Sequence, residues 1–132
     1  MIRFAHTIVF VKDIEASKQF YSGLLEQEIE KDCGVFVLFK NGFALHEAGA
    51  LCRTIYKTDE YDAACAQGQG RRNLLVYFES NRLEECCKRL EQAGVEIIHL
   101  PERQQWGQTV MRFYDPDRHI VEIGEPMDLA FE

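Results

Sequence analysis

Two histidines, His6 and His46, and one glutamate, Glu122, stand out because each is a polar residue set into an otherwise apolar, alternating run. His6 alternates with Phe4 and Ile8, His46 with Ala44 and Ala48, and Glu122 with Ile120 and Gly124, so each shares a strand face with apolar or small neighbours. Asn73 holds the same kind of place, in line with Leu75 and Tyr77. A carboxylate inside a buried strand is expensive unless it is paired, hydrogen-bonded or bound to a metal. Two imidazoles and a carboxylate can hold a divalent ion with positions left open for substrate, the 2-His-1-carboxylate arrangement that suits Fe(II), Mn(II) or zinc. Residue types alone also allow a plainer reading. The two histidines are then ordinary half-buried side chains and Glu122 ends a strand in solvent, because the three are scattered and form no local motif.

The elements that must position these residues come in two copies. In the first, a strand over Phe4–Val11 is apolar on both faces, Asp13 stands at a helix cap, and Ile14, Ser17, Phe20, Tyr21 and Leu24 follow at helical spacing. Strands near 27–32, 35–40 and 43–47 come next, the last two joined at Asn41-Gly42, a hairpin signal in which both residues tolerate positive φ. The second copy has a strand at 73–79, a helix at 81–93 stopped by Gly94, and strands near 96–100, 109–114 and 119–124 with the Asp115-Pro116-Asp117 turn between the last two. The chain thus reads as one domain of two βαβββ modules, about 1–48 and 73–126. The linker, 49–72, reads as carrying one helical turn near 59–66, and a lid role is expected of a loop this long.

Composition bounds the function. The chain has 132 residues, enough for one core. Its net charge of −7 with scattered basic residues argues against nucleic acid. No apolar run is long enough to span a bilayer and the amino-terminal stretch has no secretion pattern, so neither membrane nor export is expected. The five cysteines are odd in number and lack C-x-x-C spacing, which points away from a disulfide framework or zinc knuckle and toward a reducing cytoplasm. Trp106, in the Gln105-Trp106-Gly107 turn, and Tyr77, Phe36 and Phe113 are candidate aromatic walls of a small-molecule pocket.

The sequence resembles the vicinal oxygen chelate superfamily, which includes glyoxalases, bleomycin-resistance proteins and extradiol dioxygenases. The resemblance rests on HTIVFVKDIEASKQFYSGLL from His6, GFALHE around His46, NLLVYFES from Asn73 and WGQTVMRFYDPDRHIVEIGE at the end. It implies an α+β fold in which the two modules form a cupped eight-stranded mixed sheet around a metal. It also implies that His6, His46, Asn73 and Glu122 occupy the four ligand positions. Asn73 departs from the histidine common at its position, and an amide oxygen is a weak ligand, so His6, His46 and Glu122 are the expected metal set (Zn, Ni, Mn or Fe). Arg118 departs from the glycine common in that turn. The implied function is a metal-dependent lyase, isomerase or oxygenase acting on a small oxygen-bearing molecule. Glu122 or His46 would move protons, and Asn73, Trp106 and Tyr77 would meet the substrate. The alternative is a metal-free sequestering protein resembling bleomycin-resistance proteins. A homodimer is expected in either case, and a site shared between two chains is compatible with it.

Overall fold

Asp13 starts the first helix. Its carboxylate accepts from the backbone N–H groups of Glu15 and Ala16 at 3.1 and 3.2 Å, pairing two of the donors that a helix N-terminus leaves open. In this computed structural model, which describes residues 1–59 and 71–127, β1 (Thr7–Val11) precedes that cap and α1 (Ile14–Gln19) follows it. The helix continues as one wider π-helical turn over Phe20–Leu24. There the Ser22 hydroxyl donates to the Lys18 carbonyl at 2.7 Å, a local competitor of the regular ladder.

β2 (Ile29–Asp32), β3 (Phe36–Phe39) and β4 (Phe43–Glu47) complete a four-stranded sheet in the order β1-β4-β3-β2. β1 and β4 are parallel, and the other pairs are antiparallel. The pattern then recurs with β5 (Leu75–Glu79), a helix over Leu83–Gln92, β6 (Ile97–Arg103), β7 (Thr109–Tyr114) and β8 (Ile120–Gly124), in the order β5-β8-β7-β6 with β5 and β8 parallel. The expected pair of βαβββ modules and the α+β class are therefore present. The chain divides into two compact units, Met1–Gln69 and Gly70–Glu132.

Three expectations need correction or limit, and one turn is built differently in detail. The stretch read as a linker begins with a helix, α2 (Ala48–Tyr56), so the second module's helix is α3. Glu47 caps α2 by accepting from the N–H groups of Gly49 and Ala50, a capping role outside the usual Ser, Thr, Asp and Asn signal. At Asn41-Gly42 only Gly42 takes positive φ, +87°, while the Asn41 side chain accepts from the Phe43 N–H at 2.9 Å. Cys33, Cys86 and Cys87 are free, whereas buried Cys52 on α2 is disulfide-bonded, a pairing that the cysteine spacing does not announce. Most of the helical turn expected near 59–66 lies outside the described residues. Among those described, no helix is long and apolar enough to cross a membrane.

Each sheet turns one face to its own core. In the first, Val37, Leu45 and Val9 are direct cross-strand partners and all are buried. In the second, Phe113 and Val121 pair the same way, with Leu83, Cys87 and Leu90 of α3 buried as well. Gly124 ends β8 where a Cβ would stand 2.3 Å from Gln108 Nε2. That nitrogen is pinned by donating to the Tyr77 hydroxyl and the Glu125 carbonyl. The β7–β8 turn is closed by Asp115, whose Oδ1 accepts from the N–H groups of Asp117 and His119 and whose Oδ2 lies 2.9 Å from His119 Nδ1. Arg118 takes φ +65° in this turn and holds its side chain over the Tyr114 ring and against Glu96.

Two outcomes follow from this packing. Gly124→Ala should push Gln108 off its partners and cost about 1–3 kcal/mol in urea unfolding. An unchanged midpoint would show that Gln108 gives way freely. Burial disfavours the His119 imidazolium, yet the Asp115 hydrogen bond and charge, with a further charge contribution from Asp117, raise the His119 pKa above its ordinary value. A raised folded pKa gives stability that is full below the unfolded pKa and is lost as pH rises through the folded one. The stability gap between wild type and His119→Asn should therefore be larger at about pH 5.5 than at about pH 8.5. A gap that widens with pH would contradict this.

Candidate functional site

In the first unit the strand register sets Phe36, His46 and Phe10 in one row across β3, β4 and β1, on the face opposite Val37, Leu45 and Val9. His46 is half-buried and its Nδ1 lies 3.0 Å from the Glu47 carbonyl oxygen. A carbonyl only accepts, so in the neutral ring this bond puts the proton on Nδ1 and the lone pair on Nε2, the tautomer suited to a metal or a proton. Glu47 is itself anchored as the α2 cap, which fixes the backbone beside His46. His6, one residue before β1, is also half-buried. Phe36 lies near both imidazoles, with ring centroids 6.2 Å from His6 and 5.9 Å from His46. Neither ring nitrogen of His6 has a hydrogen-bond partner among the described residues.

In the second unit the corresponding row runs across all four strands: His99 on β6, Arg112 on β7, Glu122 on β8 and Tyr77 on β5. Glu122 is 7% exposed, and its Oε1 accepts from Arg112 Nε at 2.6 Å. Its Oε2 has no partner among the described residues. Arg112 also reaches His99 Nε2 at 3.0 Å through Nη1 and Gln104 Oε1 at 3.3 Å through Nη2. His99 Nδ1 donates to the Leu100 carbonyl at 2.8 Å, which leaves Nε2 to accept from Arg112.

Tyr77 sits beside Glu122 in that row, and its hydroxyl donates to Glu79 Oε2 and accepts from Gln108 Nε2, both at 2.7 Å. Burial first, then the hydrogen bond to the Glu79 carboxylate, raises the Tyr77 pKa, so it is a donor rather than a base near neutrality. Trp106 is 57% exposed in its turn, and its indole N–H donates to Gln108 Oε1 at 2.9 Å. Gln108 therefore ties the two candidate substrate contacts together. Asn73 is exposed and lies two residues ahead of β5. Phe113 is fully buried in the core, which removes it as a pocket wall.

Sequence reasoning missed Arg112 and Gln108. Arg112 was visible as a lone charge inside the apolar run TVMRFY, and pairing Tyr114 with Ile120 across the turn sets it opposite Glu122. A further group could hold an ion by composition: Asp115, Asp117 and His119 have ligand-type atoms within 4.8 Å of one another. These residues also carry the turn bonds described above.

The family model for the glyoxalase-like domain matches residues 4–128. Among solved structures, the chain is similar to a protein of unknown function from Agrobacterium tumefaciens str. C58, with 46% identity, coverage of 96% of each chain and a TM-score of 0.83. The genomically encoded fosfomycin resistance protein FosX from Listeria monocytogenes is 20% identical, covering 96% of this chain and 95% of its own, with a TM-score of 0.69. Lactoylglutathione lyase from Agrobacterium tumefaciens is 20% identical over 98% of each chain, with a TM-score of 0.64. The last two likenesses establish the fold, and the family match covers nearly the whole sequence: the chain belongs to the glyoxalase-like domain family.

Proposed function

We propose that this protein is a divalent-metal-dependent enzyme, a lyase, isomerase or oxygenase, acting on a small molecule that offers adjacent oxygens to the ion. The observation that carries the reading is the pair of imidazoles beside Phe36, His6 with unpaired ring nitrogens among the described residues and His46 with its Nε2 lone pair set by the Glu47 carbonyl. His6, His46 and Glu122 are the proposed ligands, Glu122 through Oε2. That donor set, two neutral imidazoles and one carboxylate, suits Zn, Ni, Mn or Fe. A bound ion supplies Lewis-acid stabilisation of charge developing on a substrate oxygen.

The remaining roles belong to the chain. Glu122 or His46, whichever is displaced from the ion, would take and return the substrate proton. Tyr77 and Trp106, braced by Gln108, form an aromatic wall that orients the substrate, and Asn73 offers its amide to the substrate or to water. FosX and lactoylglutathione lyase share the fold, which supports the reaction classes named without selecting among them. A homodimer acting in the cytoplasm on a small molecule completes the reading. The apolar exposure of Ile8, Leu75 and Leu100 supports association of two copies.

Metal titration tests the site. Purified protein should bind one of Zn(II), Ni(II), Mn(II) or Fe(II) at one ion per chain, and His46→Ala and Glu122→Ala should each weaken binding by roughly tenfold or more. Asn73→Ala should cost less than Glu122→Ala, because removing the carboxylate takes away the sole anionic ligand. Absence of binding, equal affinities across these variants, or loss confined to Asp117→Asn would overturn the reading. Sedimentation should show a dimer at micromolar concentration, and a monomer alone would remove that part.

A further inference from the structure

The two modules align residue for residue at their sites. The cross-strand partner of His46 on β3 is Phe36, and the cross-strand partner of Glu122 on β7 is Arg112. The first module sets an uncharged ring beside its candidate ligand, whereas the second sets a guanidinium there. We propose that Arg112 is a resident counter-ion for Glu122 that competes with a divalent cation for the same carboxylate, and so sets the protein's metal affinity. This rests on the reading of Glu122 as a metal ligand.

The geometry supports competition over simple support. Hydrogen-bonded neighbours that orient a metal ligand typically raise affinity by roughly 10–100-fold. Arg112 does orient Glu122, with Nε 2.6 Å from Oε1, but it does so as a full positive charge. An ion on Oε2 at about 2.0–2.2 Å would share one carboxylate with that charge, only a few ångströms away and partly shielded from solvent. Repulsion between a monovalent and a divalent cation at that range outweighs the orientation benefit. The side chain is also built to yield. Its Nη1 and Nη2 have anchors besides Glu122, at His99 Nε2 and Gln104 Oε1, so the ion pair is one of three contacts that hold the guanidinium.

The test uses metal-stripped full-length protein and Zn(II) or Mn(II) alone. Arg112→Gln should bind at least about tenfold more tightly than wild type, and Arg112→Lys, which keeps the charge, should stay within about threefold of it. In a Glu122→Gln background the Arg112→Gln gain should vanish. A merely structural Arg112 predicts the opposite sign, because loss of orientation weakens binding. Should Arg112→Gln fail to fold, Arg112→Met serves as the uncharged variant. In the wild type, the Arg112 Nε–H resonance should move as the ion saturates. Equal or weaker binding by the uncharged variants, or an unmoved Nε–H signal at saturation, overturns the inference and leaves the metal reading intact. Binding by Arg112→Gln where wild type shows none supports the inference. No binding by any variant overturns both.

Discussion

Parallel pairing of the first and last strand of each module fixes which side chains share the face turned away from that module's core. β1 can pair with β4 only if α1 and the β2–β3 hairpin are carried out of the way, and β5 pairs with β8 under the same condition. Once the register is set by burial of Val9, Leu45 and Val37 on one side, His46 must fall on the other beside Phe36 and Phe10. The same constraint in the second unit, through Val121 and Phe113, brings His99, Arg112, Glu122 and Tyr77 into one row. A slip of one residue in either sheet would bury the polar row and expose the core row. The hydrophobic core therefore specifies the candidate site as strictly as it specifies the fold.

Much of this was legible in the sequence, because alternation with period two reports faces directly. β4 and β7 appear where expected, and the polar interruptions at His46 and Glu122 mark the row that lies away from the core. What was not legible depends on partners distant in sequence. The Arg112–Glu122 pair needs a register, and the Gln108 brace needs β5 brought beside β8 before Tyr77 comes within reach. α2 was missed because its cap is a glutamate whose sequence neighbours, Ala48 and Gly49, look like the start of a loop. The hairpin at Asn41-Gly42 is where the dipeptide signal put it, but the sequence does not say that Gly42 alone takes positive φ while the Asn41 side chain closes the turn.

The modules also divide their chemistry unevenly. The first carries neutral donors among apolar rings, which cost little to leave half-buried because an uncharged imidazole has one donor and one acceptor to satisfy. The second carries the charge, and with it a ring of obligations. Glu122 needs a cation, Arg112 needs acceptors, and His99 must hold the tautomer whose Nε2 can accept. Tyr77 is held in the same row by Glu79 and Gln108, so its hydroxyl points along a chain of partners rather than turning freely.

A buried carboxylate poses one physical problem with two solutions, an internal guanidinium or a bound ion. A chain that relied on the ion alone would carry an uncompensated charge on β8 whenever metal was absent, a defect that commonly costs about 3–5 kcal/mol when one partner of a buried pair is removed. Arg112 compensates the Glu122 charge from within the chain, so that charge needs no ion to be paired, in contrast to small domains whose structural ion is their folding energy. On the proposed reading the same residue competes with a divalent ion for Glu122. On that reading stability without metal and affinity for metal are opposed through a single side chain, and the position that settles the balance is the one occupied by an uncharged phenylalanine in the first module.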